Sequence, residues 1–355
     1  MRYDTDMTQA FDPNAVGQVD AGIFGLPYSP TEAQVVLIPA PWGVTVSYGG
    51  GTQDGPRAIY DASAQIDFYH PSYGADSWKL GFAMLPLIEW DDAHQEGLEL
   101  RTRAEGYIEE LSHGKTSGME DTLKVINDGC ERFHARIERT ALDLLAENKL
   151  VGLVGGDHST PLGLIRALAK KHQDFGILHI DAHCDLRDAY EGFTYSHASI
   201  MHNALKLSEV SKLTQVGIRD YSIDERATVE QSNGRIQTFF DADLKDREYR
   251  GESWHATTEA IVKTLPQNVH VSFDIDGLDP ALCPHTGTPV PGGLQYNKAT
   301  YLLHAVAESG RKIIGFDVNE VAPGTDSEFD ANVGMRILWE LSLWAAKSNG
   351  LKPLA

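Results

Sequence analysis

The sequence predicts an α/β fold in which a parallel β-sheet is covered by helices on both faces. Short runs of β-branched apolar residues recur along the chain, and longer helix-like stretches separate them. The runs are apolar throughout rather than alternating, as expected for strands buried on both faces of a sheet. No repeat of roughly 20 to 50 residues, low-complexity segment or proline-rich linker divides the chain. We therefore expect one domain over 31–355, preceded by an extension of residues 1–30 that packs on the domain surface or on a neighbouring subunit.

The predicted strands and helices alternate in chain order. The strands are expected at residues 34–40, 150–154, 175–180, 213–218, 268–274 and 312–318. The helices are expected at residues 120–148, 160–172, 197–207, 297–309 and 328–347. Ligands of open α/β sheets bind beyond the carboxyl ends of the strands, so functional residues are expected in the segments that follow them.

The charge balance limits the partners of the chain. It has 30 basic and 51 acidic residues among 355, a net charge of -21, which disfavours nucleic acids and anionic membranes and suits a cationic substrate. No secretory pattern opens the sequence, and no apolar run reaches the roughly 20 residues that span a bilayer, so a cytoplasmic protein is expected. Cys130, Cys184 and Cys283 are too scattered for a disulfide framework or a cysteine zinc site, and we expect free thiols.

The first informative segment is LVGLVGGDHST, residues 150–160, in which a strand runs into two glycines and then Asp157 and His158. His158 thus lies where a functional group is expected. The alternative is a structural loop in which Asp157 or Ser159 caps the next helix. A phosphate-binding loop is disfavoured because neither G-x-G-x-x-G nor G-x-x-x-x-G-K-[ST] is present.

The second segment is HIDAHCDLRD, which places Asp181, His183 and Asp185 at i, i+2 and i+4 after a predicted strand. An extended chain directs alternate side chains to one face, so these three groups can converge on a metal ion. Packing alone rarely gathers such groups, since buried unpaired charge is costly. His179, two residues before Asp181, is expected to play a hydrogen-bonded supporting role.

The third segment is VHVSFDIDGLDP, with Asp274 and Asp276 at the end of a strand. Two neighbouring carboxylates repel each other unless a cation or a shared proton holds them. A shared proton of the aspartic-protease kind would require a D-[TS]-G loop in a β fold, which this segment lacks.

The charges of these segments balance two divalent cations. Four carboxylates carry the negative charge, and His158 and His183 add neutral imidazoles. Mixed oxygen and nitrogen ligands of this kind suit Mn(II), with Co, Ni, Fe and Zn as alternatives.

Taken together, GGDHS, DAHCD and SFDIDGLDP resemble the signature blocks of the ureohydrolase family of arginases, agmatinases and their relatives. The resemblance covers most of the chain. It implies a three-layer α/β/α sandwich around a mostly parallel, eight-stranded sheet, two divalent metal ions per chain, and assembly as a homotrimer or homohexamer.

The resemblance also assigns roles to individual residues. His158 and Asp185 would bind one ion, His183 and Asp276 the other, and Asp181 and Asp274 would bridge both. Ser196-His197 matches the S-H-G segment of the family, and Glu320 in DVNEVAP matches its D-x-x-E-x-x-P segment. Without the family, His197 would be an ordinary residue at a helix start and Glu320 a structural carboxylate.

The expected reaction is attack of hydroxide on a guanidinium carbon, which releases urea and an amine or ammonia. The metal ions would supply hydroxide at neutral pH, which Asp185 would hold. Glu320 would pair with guanidinium N–H groups, and His197 would pass a proton to the departing amine.

Departures from the family pattern concern the substrate. Ala198-Ser199 follows His197 where agmatinases have G-T-P, and Arg187-Asp188 stands where arginases carry polar groups that hold an amino acid. Agmatine, guanidine, guanidinobutyrate, other guanidino acids and alkylguanidines remain open. Arg187 either pairs with a substrate carboxylate or is tied to Asp188, Glu191 or another acid, and we favour the second because Tyr190, Phe193 and Tyr195 crowd this segment.

Other functions fit the sequence less well. Deacetylases of related fold bind one metal with Asp-x-His and a later Asp, whereas Asp185 and Asp276 add ligands for a second. The G-D-x-H-G and G-N-H-D blocks of dinuclear phosphatases are absent from the sequence. A non-catalytic regulatory member of the family is the alternative outside enzymes, and the complete ligand set disfavours it.

Overall fold

Eight parallel strands form a single sheet in the computed structural model, which describes residues 11–18 and 21–354. Residues 1–10, 19 and 20 of the predicted extension lie outside the described part. Adjacent strands in the order β2-β1-β3-β8-β7-β4-β5-β6 all pair in parallel, in agreement with the predicted fold class. The strands are β1 (Val35–Ala40), β2 (Phe82–Met84), β3 (Leu150–Gly155), β4 (Phe175–Ile180), β5 (Val210–Ile218), β6 (Ile236–Phe240), β7 (Asn268–Asp274) and β8 (Lys312–Asn319).

The two strands that the sequence did not predict, β2 and β6, lie at the edges of the sheet. β2 has only three residues, too few for a periodic signal. β6 alternates between buried and more exposed positions, unlike the continuous apolar runs of the central strands.

The helices pack in two groups, with α1, α8, α9 and α10 in one and α2, α3, α4 and α5 in the other. They are α1 (Gly55–Ser63), α2 (Asp91–Ser112), α3 (Glu120–Ala146), α4 (Leu162–Lys171), α5 (Ile200–Ala204), α6 (Ile223–Gln231), α7 (Asp241–Tyr249), α8 (Trp254–Lys263), α9 (Tyr296–Glu308) and α10 (Phe329–Ser348). Four predicted helices correspond to α3, α4, α9 and α10. The prediction for 197–207 is too long: a 3-10 turn at His197–Ser199 leads into the short α5.

The sequence analysis did not predict five further helices, α1, α2, α6, α7 and α8. Of these, α6 lacks an apolar stripe, because only one of its residues, Glu225, is buried. This helix depends on its first turn, where Ser222 and Glu225 form a reciprocal capping box.

The core is closely packed at the centre of the sheet, where β3 is buried along its whole length. A Cβ added at Gly152 would lie 2.5 Å from the Phe316 ring and 2.6 Å from Leu37, so only glycine fits between β1 and β8. Near the N-terminus, Phe24 packs against Trp339 with ring centroids 4.9 Å apart. The division into 1–30 and 31–355 stays a prediction.

Two further expectations concern the whole chain. Cys130, Cys184 and Cys283 are buried free thiols. None of the helices within 11–18 and 21–354 is long and apolar enough to cross a membrane.

The sheet topology places the site. β8 lies between β3 and β7, and β4 follows β7. Because these four strands are parallel, the segments after them meet at one edge of the sheet. All three sequence segments and Glu320 are therefore brought together.

Candidate metal centre

His158 lies at the centre of a first group of carboxylates. It occupies the loop between β3 and α4, and its Nδ1 is 2.9 Å from Asp181 Oδ2, 3.1 Å from Asp185 Oδ2 and 3.3 Å from Asp274 Oδ2. The structural alternative for this loop, a cap on the next helix, is wrong: α4 has Pro161 at its N-cap and no side-chain cap. Asp157 Oδ1 instead accepts from the Ser159 amide at 3.0 Å, which stabilises the loop itself.

A second group lies next to the first and shares Asp181. His183 Nδ1 is 3.1 Å from Asp276 Oδ2 and 3.4 Å from Asp181 Oδ1. Since Asp181 Oδ2 faces His158 and Oδ1 faces His183, this carboxylate joins the two groups. Asp274 Oδ1 accepts from the Asp276 amide, so the bridging role of Asp274 stays a prediction.

The i, i+2 and i+4 spacing predicted that Asp181, His183 and Asp185 converge because side chains alternate along an extended strand. In the structure they converge in a different way. The chain bends directly after β4, and Asp185 has a φ of 53°, in the left-handed region. Asp276 lies in a 3-10 turn, Ile275–Gly277, stabilised by its amide donating to Asp274 Oδ1 at 2.8 Å. Asp274 ends β7 itself, whereas Asp185 and Asp276 are brought to the site by the turns that follow β4 and β7.

The electrostatics of the site fit a pair of cations. Burial and then the neighbouring Asp276 and Asp181 raise the pKa of Asp274 well above its usual range. Burial and then Asp181 raise the pKa of Asp185 to about 6. Burial opposes protonation of His183, yet Asp276 and Asp181 raise its pKa to about 12. Carboxylates that repel one another beside imidazoles that attract protons form a site short of positive charge, which divalent ions would supply.

His179 supports Asp181 rather than joining the ligands. Its Nε2 is 2.7 Å from Asp181 Oδ2, and its Nδ1 is 3.0 Å from Gln215 Nε2. Gln215 Nε2 also donates to the Cys184 carbonyl at 2.8 Å, which orients the amide so that His179 Nδ1 must accept. His179 Nε2 therefore carries the hydrogen and donates it to Asp181, the supporting role expected from the sequence.

Glu320 directly follows β8 and faces His158 with a strained backbone. Its φ is 63°, and its Oε1 accepts from the His158 amide at 2.7 Å. Burial and then Asp157 raise the pKa of Glu320 well above its usual range. Because no hydrogen bond from the described residues reaches Oε2, that oxygen can receive guanidinium N–H groups.

His197 is half-buried, and the charge of His183 in the second group acts on its imidazole. Its amide donates to Thr45 Oγ1 at 3.2 Å, and its ring Nδ1 has no hydrogen-bond partner among the described residues. Burial and then the charge of His183 lower the pKa of His197 to about 4. The imidazole is therefore neutral at pH 7 and able to accept a proton.

Comparison with known proteins agrees with this geometry. The pattern of the arginase family matches residues 33–343. The chain belongs to the arginase family. It is therefore a metal-dependent hydrolase of the ureohydrolase class.

Individual relatives point to the same family. An N(1)-aminopropylagmatine ureohydrolase of Thermus thermophilus is 31% identical over 302 residues, which cover 85% of this chain and 87% of the relative. An agmatinase of Bacillus subtilis is 29% identical over 89% of this chain and 93% of its own. The agmatine ureohydrolase of Thermoplasma volcanium has the same fold, with a TM-score of 0.70, 23% identity and coverage of 98% of this chain and 99% of its own.

In this arginase-family chain four of the six predicted ligands, His158, His183, Asp185 and Asp274, line a narrow cavity. Its volume is about 130 Å³, below the roughly 300 to 1,000 Å³ of pockets for drug-sized ligands. His158, Asp185, Asp274, His197 and Glu320 all line it. The cavity therefore joins the metal ligands to both other predicted catalytic residues.

Arg187 lies at the rim of this cavity and already has partners. Its guanidinium carbon is 4.5 Å from the centre of the Tyr190 ring, and its Nε is 3.6 Å from Glu225 Oε2. The sequence analysis favoured an ion pair of Arg187 with Asp188, Glu191 or another acid, and the acid that Arg187 faces is Glu225. Asp188 instead faces His202 at 3.2 Å.

The sequence analysis missed several residues that support the site. Ser272 contacts His158 and Gln215 contacts His179 through buried hydrogen bonds, and Asp317 accepts a hydrogen bond from Ser272. Ser272 and Asp317 stand inside the SFDID and DVNEVAP segments, so those motifs carried a signal. Gln215 had none, because it lies in β5, outside the three segments.

Proposed function

We propose that the chain hydrolyses a small guanidino compound without a carboxylate group, such as guanidine or agmatine, and releases urea with ammonia or an amine. The observation that carries this proposal is the pair of ligand groups that share Asp181 at the cavity. The names of the similar agmatinases and ureohydrolases support the same substrate class.

Two divalent ions are part of the proposal. His158 and Asp185 would hold one ion and His183 and Asp276 the other, with Asp181 and Asp274 shared by both. Their mixed oxygen and nitrogen donors suit Mn(II), with Ni(II) or Co(II) as alternatives. When bound, such ions act as Lewis acids and lower the pKa of water, so that hydroxide is available at neutral pH.

The side chains around the cavity would position the substrate and move its proton. Glu320 Oε2 would accept guanidinium N–H hydrogen bonds, and the positive charge would offset the burial of this carboxylate. Asp185 would accept a hydrogen bond from the attacking water. His197, neutral and half-buried, would carry the proton to the departing nitrogen.

The charges at the rim favour a substrate without an anionic tail. Arg187 is the only Arg or Lys among the described residues that line the cavity. Glu225 and Tyr190 already hold it, whereas Asp220 and Glu225 add negative charge. A carboxylate on the substrate would meet no free cation, and a neutral or cationic tail would meet no repulsion.

A substrate panel tests the proposal. The metal-free enzyme is reconstituted separately with Mn, Ni, Co and Zn, and urea release is measured with guanidine, agmatine, guanidinobutyrate and arginine. We expect guanidine or agmatine to be hydrolysed with the highest kcat/KM and about two ions per chain in metal analysis. A single tight ion under saturating metal would reject the two-metal centre, and arginine or guanidinobutyrate as the best substrate would reject the proposed specificity.

Arg187→Ala tests the rim directly. Because Arg187 is held by protein groups, its loss should leave the ratio of kcat/KM for guanidine and guanidinobutyrate within a few-fold. The control is Arg226→Ala, which removes an arginine that stacks on Phe240 at 4.7 Å and does not line the cavity. A selective loss of more than about tenfold, roughly 1.4 kcal/mol, for guanidinobutyrate would show that Arg187 binds the carboxylate.

A further inference from the structure

A hydrogen bond outside the cavity joins two loops that form its mouth. The β1 loop (residues 41–51) contributes Ser47 to the cavity wall, and the β4 loop (residues 181–196) contributes Tyr190. Glu191 follows Tyr190 but is not among the described residues that line the cavity. Its Oε2 accepts a hydrogen bond from Ser47 Oγ at 3.0 Å. Glu191 therefore connects the two sides of the mouth without lining it.

The backbone around Glu191 is strained. Ala189 and Glu191 have φ values of 47° and 55°, in the left-handed region that residues other than glycine rarely adopt. Such conformations persist only where surrounding contacts hold them, and they are concentrated at functional sites. Here α3 supplies contacts, because Asn127 accepts from the Thr194 amide at 2.8 Å and donates to the Gly192 carbonyl at 3.3 Å. The β4 loop is thus fixed on its α3 side, and the strained turn presents the Glu191 carboxylate to the β1 loop.

The end of the β1 loop is rich in glycine and exposed. Arg101 of α2 donates to the backbone carbonyl just before Ser47. Tyr48 comes next and lines the cavity, although it is 71% exposed. Three glycines, residues 49–51, follow it, and two of them have positive φ values of 59° and 102°. Because glycine has a large conformational entropy, this segment depends on the hydrogen bond between Ser47 and Glu191 for its position.

We infer that Glu191 is a positioning residue that, through Ser47, holds the β1 loop in the conformation that completes the substrate cavity. The inference rests on the proposed function, because a guanidino substrate is what this cavity would bind. Without the hydrogen bond, the strained turn can relax and the loop can leave the cavity, so a smaller fraction of the protein is ready to bind. Apparent affinity falls with that fraction, while the metal ligands keep their places. The expected signature is a higher KM at an unchanged kcat.

The test is steady-state urea release by Ser47→Ala, Glu191→Ala and the double variant, each loaded with Mn(II). The substrate is whichever of guanidine and agmatine the wild type hydrolyses better. Each single variant should raise KM about 3- to 10-fold, the effect of losing one hydrogen bond, with kcat and metal content near those of the wild type. The double variant should be no worse than either single variant, because all three lack the same bond.

A second measurement does not depend on turnover. Amide hydrogen exchange of residues 44–51 is followed in the Mn(II)-loaded proteins without substrate. Because local opening sets the rate of exchange, both single variants should exchange faster than the wild type in this segment. The buried strand β3 should exchange alike in all the proteins, which shows that the substitutions do not loosen the whole fold.

Two control variants separate the hydrogen bond from the charge of Glu191. Glu191→Gln keeps an oxygen that can accept from Ser47 but removes the charge, so its KM should stay near that of the wild type. Glu105→Ala removes another carboxylate, which pairs with Arg101 Nε at 3.0 Å and is not among the described residues that line the cavity. It should likewise leave KM unchanged.

The outcomes distinguish the inference from the proposed function. A wild type that hydrolyses neither guanidine nor agmatine would overturn the proposed function, and unchanged exchange of residues 44–51 in the variants would overturn the role of Glu191. That role is also wrong if the wild type turns over and both single variants keep its KM, or if their effects on KM add in the double variant. An equal rise of KM in Glu191→Gln or Glu105→Ala would show that charge, rather than positioning, is responsible.

Discussion

At the scale of single residues, two carboxylates of the site lie on backbone conformations that residues other than glycine rarely adopt. Asp185 and Glu320 have φ values of 53° and 63°, in the left-handed region. A non-glycine residue in that region costs on the order of 1–3 kcal/mol, and such strain is concentrated at functional sites. Hydrogen bonds offset part of it, since the Met201 amide donates to the Asp185 carbonyl at 3.0 Å. The backbone therefore gives up stability to aim these two carboxylates.

His197→Asn tests the proton transfer. His197 lines the cavity but is not one of the predicted ligands, so we expect metal content near that of the wild type and a kcat lower by about 10² to 10⁴-fold. Metal analysis and urea release are measured on the same preparation. An unchanged kcat would remove His197 from the mechanism.

His134, buried in α3, should make the fold sensitive to acid. Burial and then the charge of Arg166 lower its pKa to about 3, against an ordinary value of 6.5. Below pH 6.5 the unfolded chain takes up a proton that the folded chain excludes, so stability falls as pH decreases until the folded pKa is reached.

Urea unfolding of the metal-free protein at pH 7 and pH 5 measures this effect. His134→Met lacks the titrating group and so escapes this loss of stability. The unfolding free energy of the variant minus that of the wild type should therefore increase by about 1.4 kcal/mol for each pH unit below about pH 6. If the difference between wild type and variant is the same at both pH values, His134 is not the cause.

At the scale of elements, close approach of α3 and α4 shapes the layer that carries His158. A Cβ at Gly163 in α4 would lie 2.4 Å from the His134 carbonyl oxygen and 2.7 Å from Ile137 Cβ. The first contact is with backbone, which cannot rotate away. The two helices can approach this closely only because α4 has a glycine there, and α4 directly follows the His158 loop.

Gly163→Ala should therefore destabilise the fold, by about 1–3 kcal/mol as for other overpacked sites. Its matched control is Gly106→Ala, an exposed helical position in α2 with nothing within 4 Å of the added Cβ. That substitution should stabilise by about 0.5–1 kcal/mol, since alanine is the better helix former. Chemical unfolding of both variants gives the signs, and a neutral or stabilising Gly163→Ala would contradict the packing described here.

At the scale of the whole molecule, folding and metal binding are coupled through buried acidic charge. The chain has a net charge of -21, and Asp181, Asp185, Asp274 and Asp276 are buried together in one cleft. Without cations these groups oppose folding, and with cations they become ligands. Metal removal should therefore lower the melting temperature of the wild type.

The effect of Asp274→Ala on stability should change sign when metal is added. Metal-free, the variant should be at least as stable as the wild type, because it removes a carboxylate repelled by Asp276 and Asp181. In excess metal the variant should be less stable than the wild type. Each bound ion stabilises the wild type by about 2.7 kcal/mol when the free metal concentration is one hundred times the Kd of its site. Melting temperatures of both proteins with chelator and with Mn(II) test this, and a variant less stable by the same margin in both conditions would contradict the coupling.

Short-range patterns in the sequence were sufficient for the parts of this protein that depend on neighbouring residues. The buried strands carry continuous apolar runs, and the metal ligands stand two residues apart in DAHCD and DID, so both could be read locally. The signal failed for β2 and for α6, because three residues have no period and a mostly exposed helix needs no apolar stripe.

The contacts between distant segments were decided by the tertiary structure. Strand pairing sets Ser272 beside Asp317, and the placement of α6 brings Glu225 to Arg187. Neither contact leaves a local pattern, because its partners are separated by whole elements and their approach is set by the summed packing of the sheet and helices. The sequence alone therefore determined which groups form the centre, whereas the folded chain decided which of them share a carboxylate, which carry a hydrogen and whether the rim has a free cation.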